Sequence, residues 1–301
     1  MTGKENAPAA ACPLCGTEST DRHQSMDYNK RISCKIFNYY MCRQCGASFI
    51  FPVPVTLGDY YPDEYYPLPA SGRSLSAFYE SERYKIELVK KFLGAGRLLE
   101  IGPGAGGFSY LAKTAGFDVD AIERDERCCD HLRRVIGVRA IHDSDPVHAL
   151  PSLGPYHGIA LWHVIEHLPD PWTLLEAVAE RLLPGGILVI ASPNPASLQF
   201  RILGKYWPHL DSPRHVVLIP IPALERKLSR MGMSAVLTTT RDEGSLNWNT
   251  FGWVQCLGNL CARRPIHAAL RALGRMLSIL LGPIESIEGK GTAYTAVFVK
   301  D

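Results

Sequence analysis

At 301 residues, 46% hydrophobic and 21% charged, the chain has room for one α/β domain of ordinary size and a small extra module. A formal net charge of +2 supplies no broad phosphate-binding surface, which argues against a nucleic-acid partner. No stretch approaches the roughly 18 uninterrupted apolar residues of a membrane span. No apolar run follows Met1 as a signal peptide requires, and nine cysteines, an odd number, point to a reducing compartment. The expectation is a cytoplasmic protein.

Residues 1–10 are polar and alanine-rich and read as a disordered tail. Within residues 11–50 lie Cys12-Pro-Leu-Cys15-Gly and Cys42-Arg-Gln-Cys45-Gly, two C-x-x-C turns each followed by a glycine that lets backbone N–H groups point at the thiolates. Four soft ligands in two such knuckles suit a tetrahedral structural zinc, closed to catalysis because the protein fills every position. His23 and Cys34 are spare donors, and the segment with Ile36, Tyr39 and Tyr40 suits a small hairpin. Residues 51–74 are rich in proline and tyrosine and read as a linker. Its Tyr60, Tyr61, Tyr65 and Tyr66 either pack the connector or line a substrate pocket. A helix is expected from Leu75 to Leu93.

The stretch Arg97 to Glu123 reads as strand, glycine loop, helix, turn and strand, half of a Rossmann unit. Gly102, Gly104 and Gly107 satisfy G-x-G-x-x-G, which permits a dinucleotide. Gly102, Gly104 and Gly106 equally satisfy the tighter G-x-G-x-G, with Glu100 two residues upstream. A carboxylate at position 100 suits a ligand with an ammonium group and sits poorly beside a pyrophosphate. S-adenosylmethionine (SAM) carries that ammonium, and its carboxylate can meet the loop's N–H groups. Glu123, at the tip of the next strand, is placed to accept hydrogen bonds from ribose hydroxyls.

Helix is expected over Cys128 to Val135 and a third strand over Val138 to Ile141, followed by the loop acids Asp143 and Asp145. A buried fourth strand, Ile159 to Trp162, leads into His163-Val-Ile-Glu166-His167. If that turn is helical, His163, Glu166 and His167 share one face at the carboxyl end of the sheet, where ligands collect. Asp170 and Pro171 then supply the cap and first turn of a helix over Trp172 to Leu182. Pro184-Gly185-Gly186 makes a tight turn into a fifth strand, Ile187 to Ala191, which ends at Ser192-Pro-Asn194-Pro.

Taken together, Glu100-Ile-Gly-Pro-Gly-Ala-Gly, Glu123, LWHVIEHLPDP, LLPGGILVI and SPNP resemble a class I SAM-dependent methyltransferase. The resemblance is closest to the bacterial group with an N-terminal CxxC…CxxC zinc module, related to sugar C-methyltransferases and ubiquinone-type O-methyltransferases. It covers the module at residues 12–66 and a catalytic domain at 75–301. It implies an α/β fold: a Rossmann-like seven-stranded sheet whose last strand is antiparallel, with Ser234 to Thr240 and Thr292 to Lys300 as sixth and seventh strands. A small N-terminal zinc-ribbon module and a helical insertion before the last strand complete it. The implied SAM contacts are Glu100, Gly102, Pro103, Gly104, Gly106, Glu123, Arg124, Asp143, Leu161, Trp162 and His163.

Two regions depart from a minimal domain of this kind. Residues 195–220 form a cap with Trp207, Arg214 and His215; the resemblance implies that this W…PRH segment lies over the active site, with His215 facing the acceptor. Residues 245–288 form the helical insertion, where Arg263, Arg264, Arg271 and Arg275 stand among apolar residues. Core or dimer packing explains that pattern, and so does peripheral contact of 250–283 with the inner membrane face.

The expected reaction moves a methyl group to a hydroxyl or carbon of a sugar, glycan or other small molecule. His167 and His215 are the candidate bases, His163 stands beside the sulfonium and Glu166 supports the group. Metal-dependent relatives use E-x-x-E-H plus a later histidine, which here corresponds to His163, Glu166, His167 and His215, with histidine in place of the first glutamate. Such a set suits a second divalent metal. The competing readings are a nucleotide-linked oxidoreductase and a zinc-ribbon binding protein on a non-catalytic fold of the same shape.

Overall fold

A computed structural model of the chain describes residues 9–62, 65–69 and 74–301. Residues 1–8 of the expected tail lie outside these, as do 63–64 and 70–73 of the expected linker. The end of the tail is structured: Ala10 is buried and pairs in β1 (Ala10–Ala11) with β2 (Glu18–Ser19).

β3 (Asp21–Ser25), β4 (Phe37–Met41) and β5 (Ser48–Ile50) form an antiparallel meander. The meander is not self-contained. Its edge strand β5 takes a fourth strand from far along the chain, Val217–Leu218 of the cap, in register Val217↔Phe49. Tyr39, Tyr40, Phe49 and Ile50 share one core with Trp207 and Leu218, so the cysteine module and the cap bury their apolar faces against each other.

The helix expected over Leu75 to Leu93 is broken. α1 (Leu75–Tyr79), capped by Ser74, passes through a 3₁₀ turn at Glu80–Glu82 into α2 (Arg83–Lys90). Tertiary contacts favour the break: the Tyr79 hydroxyl meets His131 Nε2 at 2.9 Å and donates to the Ala105 carbonyl.

The main sheet alternates strands and helices. In chain order these are β6 (Arg97–Ile101), α3 (Gly107–Thr114), β7 (Asp118–Glu123), α4 (Glu126–His131), β8 (Arg139–His142), α5 (Pro146–Ala149), β9 (Tyr156–Trp162), α6 (Pro171–Arg181) and β10 (Leu182–Pro193). β6 to β10 are parallel and mostly buried on both faces, as their continuous apolar runs require. β10 begins earlier than expected. Pro184-Gly185-Gly186 is a bulge inside it, with pairing at Leu182↔Tyr156 resuming at Ile187↔Gly158.

The cap contributes α7 (Leu198–Leu203) and β11 (Val217–Leu218). α8 (Ile221–Ser229) and β12 (Met233–Thr239) follow, then the insertion's two helices, α9 (Glu243–Gly258) and α10 (Arg264–Glu285), and the final strand β13 (Ala293–Lys300). The sheet order is β12-β13-β10-β9-β6-β7-β8, with β13 antiparallel to both neighbours. The seven strands and the antiparallel last one agree with the expected architecture. The chain leaves β6 toward β7 on one side and returns to β9 on the other, so a crevice opens beyond the carboxyl ends of β6 and β9.

Candidate active site

The loop after β6 sits at that crevice. Gly104 has φ +54°, and a Cβ there would come within 2.7 Å of the Tyr66 ring. Only glycine combines that left-handed backbone with so close a neighbour. Gly106, the residue before α3, is also left-handed, but its neighbours are Leu132 and Ile136; it serves packing and lines neither cavity.

Two cavities meet here. The first, about 500 Å³, is bounded by Gly102, Glu123, Arg124 and Asp143 on the sheet side and by Tyr61 and Tyr66 of the 51–74 segment opposite. Glu123 is buried. Its Oε1 accepts from the N–H groups of Arg124 (2.7 Å) and Asp125 (2.8 Å), and its Oε2 from Gly104 (2.9 Å). That leaves about one of a carboxylate's roughly four acceptor positions for a ligand hydroxyl. Burial raises its pKa against the lowering effect of those three N–H groups. Asp143 accepts from the Asp145 N–H and pairs with His148 Nδ1 at 2.7 Å, which lowers its pKa. Arg124 stacks over Tyr61 at 4.7 Å.

The second cavity, about 650 Å³, reaches from Glu100 and Pro103 to Trp162, His209, Trp248 and Phe251. Glu100 is buried and accepts from Ser109 Oγ at 2.6 Å; burial pushes its pKa up to about 7. Glu82 and Lys85, ion-paired at 2.7 Å, line the same end. Both enter from the broken helix and were not anticipated. The indole N–H of Trp162 is buried with no hydrogen-bond partner among the described residues. Leu161, on the opposite face of β9, packs in the core and lines neither cavity. Gly102, Tyr65, Tyr66, His163 and His167 border both.

At the junction stands a histidine–carboxylate cluster. His163 follows β9 with φ +57°, an uncommon conformation for a residue other than glycine, and Ile165–His167 forms one 3₁₀ turn. Glu166 is fully buried. Its Oε2 accepts from Ser192 Oγ at 3.1 Å, while Oε1 has no hydrogen-bond partner among the described residues and lies 3.5 Å from His163 Nδ1 and 4.0 Å from His215 Nε2. Burial would raise its pKa, but the contact with His163 and the fields of His215 and His167 hold it down to about 2. His167 Nδ1 lies 3.0 Å from the Arg214 carbonyl and 2.9 Å from the Tyr61 hydroxyl; His215 Nδ1 lies 2.8 Å from the His209 carbonyl. A carbonyl only accepts, so each Nδ1 carries a hydrogen, and in the neutral ring Nε2 keeps the lone pair. Burial, then His215, lowers the His167 pKa to about 4, so this ring is neutral near pH 7. One donor atom each from Glu166, His167 and His215 lie within 4.8 Å of one another. Of the four residues expected to group, Glu166, His167 and His215 converge, while His163 meets the set through Glu166 and packs its ring edge-to-face on Trp248.

What holds His215 and His167 is the cysteine module. Arg214, fully buried, donates to Asp27 (2.7 and 3.2 Å), to Asp211 (2.7 and 2.8 Å) and to the Tyr60 carbonyl; Tyr39 Oη donates to the His215 carbonyl at 2.9 Å. Nothing in the local sequence marks Asp27 for this part.

In the module, the sulfurs of Cys12, Cys15, Cys42 and Cys45 lie within 4.8 Å of one another, with Cys12–Cys45 at 3.6 Å and Cys15–Cys42 at 3.5 Å. Tetrahedral bonds of about 2.3 Å place sulfurs about 3.8 Å apart, so the set fits zinc. As expected, backbone N–H groups, those of Leu14 and Cys15, face the Cys12 sulfur, and Gly16 and Gly46 close the turns by donating to the carbonyls of Cys12 and Cys42. Contact with Cys45 lowers the Cys12 pKa to about 5. His23 stacks on Tyr39, and neither it nor Cys34 joins the cluster.

The methyltransferase-domain family matches residues 76–238. The chain is 29% identical to the ubiquinone biosynthesis O-methyltransferase of Bordetella avium, over 40% of this chain and 54% of that protein. It is 32% identical to the protein of the same name from Cereibacter sphaeroides, over 37% and 47%. The chain spans about half the length of these curated relatives. A SAM-dependent methyltransferase from Archaeoglobus fulgidus shares the fold, with a TM-score of 0.51 and 21% identity over 75% of this chain and 95% of that one.

Proposed function

The chain belongs to the methyltransferase-domain family, and on that premise we propose that it is a SAM-dependent methyltransferase acting on a hydroxyl of a small, largely aromatic or apolar molecule. One observation carries this reading: two cavities meet at a cluster of buried bases. The first suits an adenosine, with Glu123 for the ribose. Glu100 at the near end of the second suits the cofactor's ammonium, and the walls of Trp162, Trp248 and Phe251 suit the acceptor's apolar body. Those walls favour an aromatic acceptor over a glycan, in line with the names of the curated relatives.

Methyl transfer from a sulfonium is an in-line displacement, so the protein must align the acceptor and remove its proton. The free Nε2 atoms of His167 and His215 fit the role of base. Glu166 would stabilise the imidazolium that forms. The cysteine cluster fits a structural zinc that ties the module to the cap.

A second reading has an observation of its own. Two imidazole lone pairs and an unpaired buried carboxylate oxygen, with both Nδ1 hydrogens given to carbonyls, form a donor set that fits a divalent cation held by Glu166, His167 and His215. Such an ion would lower the pKa of an acceptor hydroxyl. Activity that survives chelation while the cysteine module stays metal-loaded would exclude it.

The primary test is calorimetry with SAM and S-adenosylhomocysteine, followed by a panel of phenols and catechols read by mass spectrometry for an added methyl. His167→Asn and His215→Asn should lower turnover and leave SAM affinity unchanged. A failure of the folded, zinc-loaded protein to take up either compound would overturn the reading.

A further inference from the structure

The α9–α10 hairpin stands before the last strand, and its inner side is fully used. At the crossing, a Cβ on Gly274 would lie 2.7 Å from Val254 Cα, so the helices touch backbone to backbone. Glu285 is buried and accepts from Gln199 Nε2 and Trp253 Nε1 at 2.8 and 3.1 Å. α9 walls the second cavity with Trp248, Phe251 and Gln255 and carries α10 on its other side.

Among the described residues, nothing covers the outer side of α10. Ile266, Leu273, Met276, Leu280 and Ile284 recur at helical spacing and are all exposed; Met276, Ile279 and Leu280 are 59%, 75% and 68% exposed. Leu260, in the turn between the helices, continues the strip. Arg263, Arg264, Arg271 and Arg275 flank it, and the one acid from Asn259 to Ile287 is the buried Glu285.

We propose that this face of α10 docks on an anionic membrane surface, with its apolar strip in the headgroup–acyl boundary and its arginines on lipid phosphates. Charge selects the occupant. Were a second copy to cover the strip, the arginines of both copies would gather at one seam with no exposed acid from Asn259 to Ile287 to oppose them. An apolar strip edged by cations and free of exposed acids is complementary to anionic lipid. Among the described residues no helix is long and apolar enough to cross a membrane, so the contact is peripheral. Docking would set the second cavity behind α10 and α9, about two helix diameters or roughly 20 Å from the lipid surface.

The test is co-sedimentation of the full zinc-loaded chain with vesicles of phosphatidylglycerol and phosphatidylcholine, against phosphatidylcholine alone, at low and high salt. Binding should require phosphatidylglycerol and weaken with salt. Arg264→Gln with Arg275→Gln should weaken it about 25-fold, at about 5-fold per arginine. Met276→Ser, Ile279→Ser and Leu280→Ser together should abolish it. All variants should keep wild-type SAM uptake and melting temperature, since these side chains face solvent. Equal binding to neutral vesicles, or no binding at all, would overturn the proposal. So would sedimentation velocity showing a dimer that the triple variant converts to monomer, which would assign the strip to a second copy.

Discussion

Glu100→Gln separates the cost of the cofactor site from its use. The carboxyl is buried, its Oε2 accepts from Ser109 Oγ at 2.6 Å, and burial lifts its pKa from 4.5 to about 7. Between those values the folded chain holds a proton that the unfolded chain has lost, so stability falls as pH rises through the window and levels off above it. Full ionisation corresponds to roughly 3 kcal/mol. Glutamine keeps the bond to Ser109 and carries no charge. The variant should therefore be more stable by up to about 3 kcal/mol at pH 8.5, and by about half that at pH 5.5. In a domain of this size the larger gain corresponds to a rise in melting temperature of roughly 6–10 °C. SAM affinity should move the other way, by about 10- to 100-fold, through loss of a charged partner for the ammonium. Urea unfolding across this pH range, with calorimetry at pH 8.5, measures both. A variant no more stable than wild type at pH 8.5 would mean that Lys85 already holds the carboxylate ionised at no cost, and a gain that does not shrink with acid would mean that ionisation is not its source.

Asp27→Asn should weaken the buried ion pair to Arg214 and cost about 3–5 kcal/mol in urea unfolding. Because the Arg214 carbonyl orients His167, turnover should fall while SAM affinity holds. Gly104→Ala should cost about 1–2 kcal/mol of backbone strain and, by pushing on Tyr66, weaken SAM uptake in calorimetry more than it lowers the melting point. His209, whose pKa burial lowers to about 3, is neutral in the fold. The unfolded chain takes up its proton first, so stability is flat above about pH 6.5 and falls below it toward pH 3, by up to about 1.4 kcal/mol per unit. In His209→Gln that part of the acid slope should disappear from urea unfolding curves.

Much of this fold is legible locally. The glycine loop, Glu123 and the two C-x-x-C turns rest on backbone conformation and spacing within a few residues. The buried parallel strands follow from unbroken apolar runs, and the insertion's helices from their periodicity. The break in the first helix was not legible, because Tyr79's partners, His131 and Ala105, come from other elements and outweigh the run's own helical tendency. The pairing of β5 with β11 and the reach of Asp27 to Arg214 were equally hidden. The chain by itself determined which backbone can approach a ligand and which segments must be buried. Only the tertiary structure decided which buried polar groups face one another, because that depends on how separately folded pieces dock, and spacing along the chain carries no record of it.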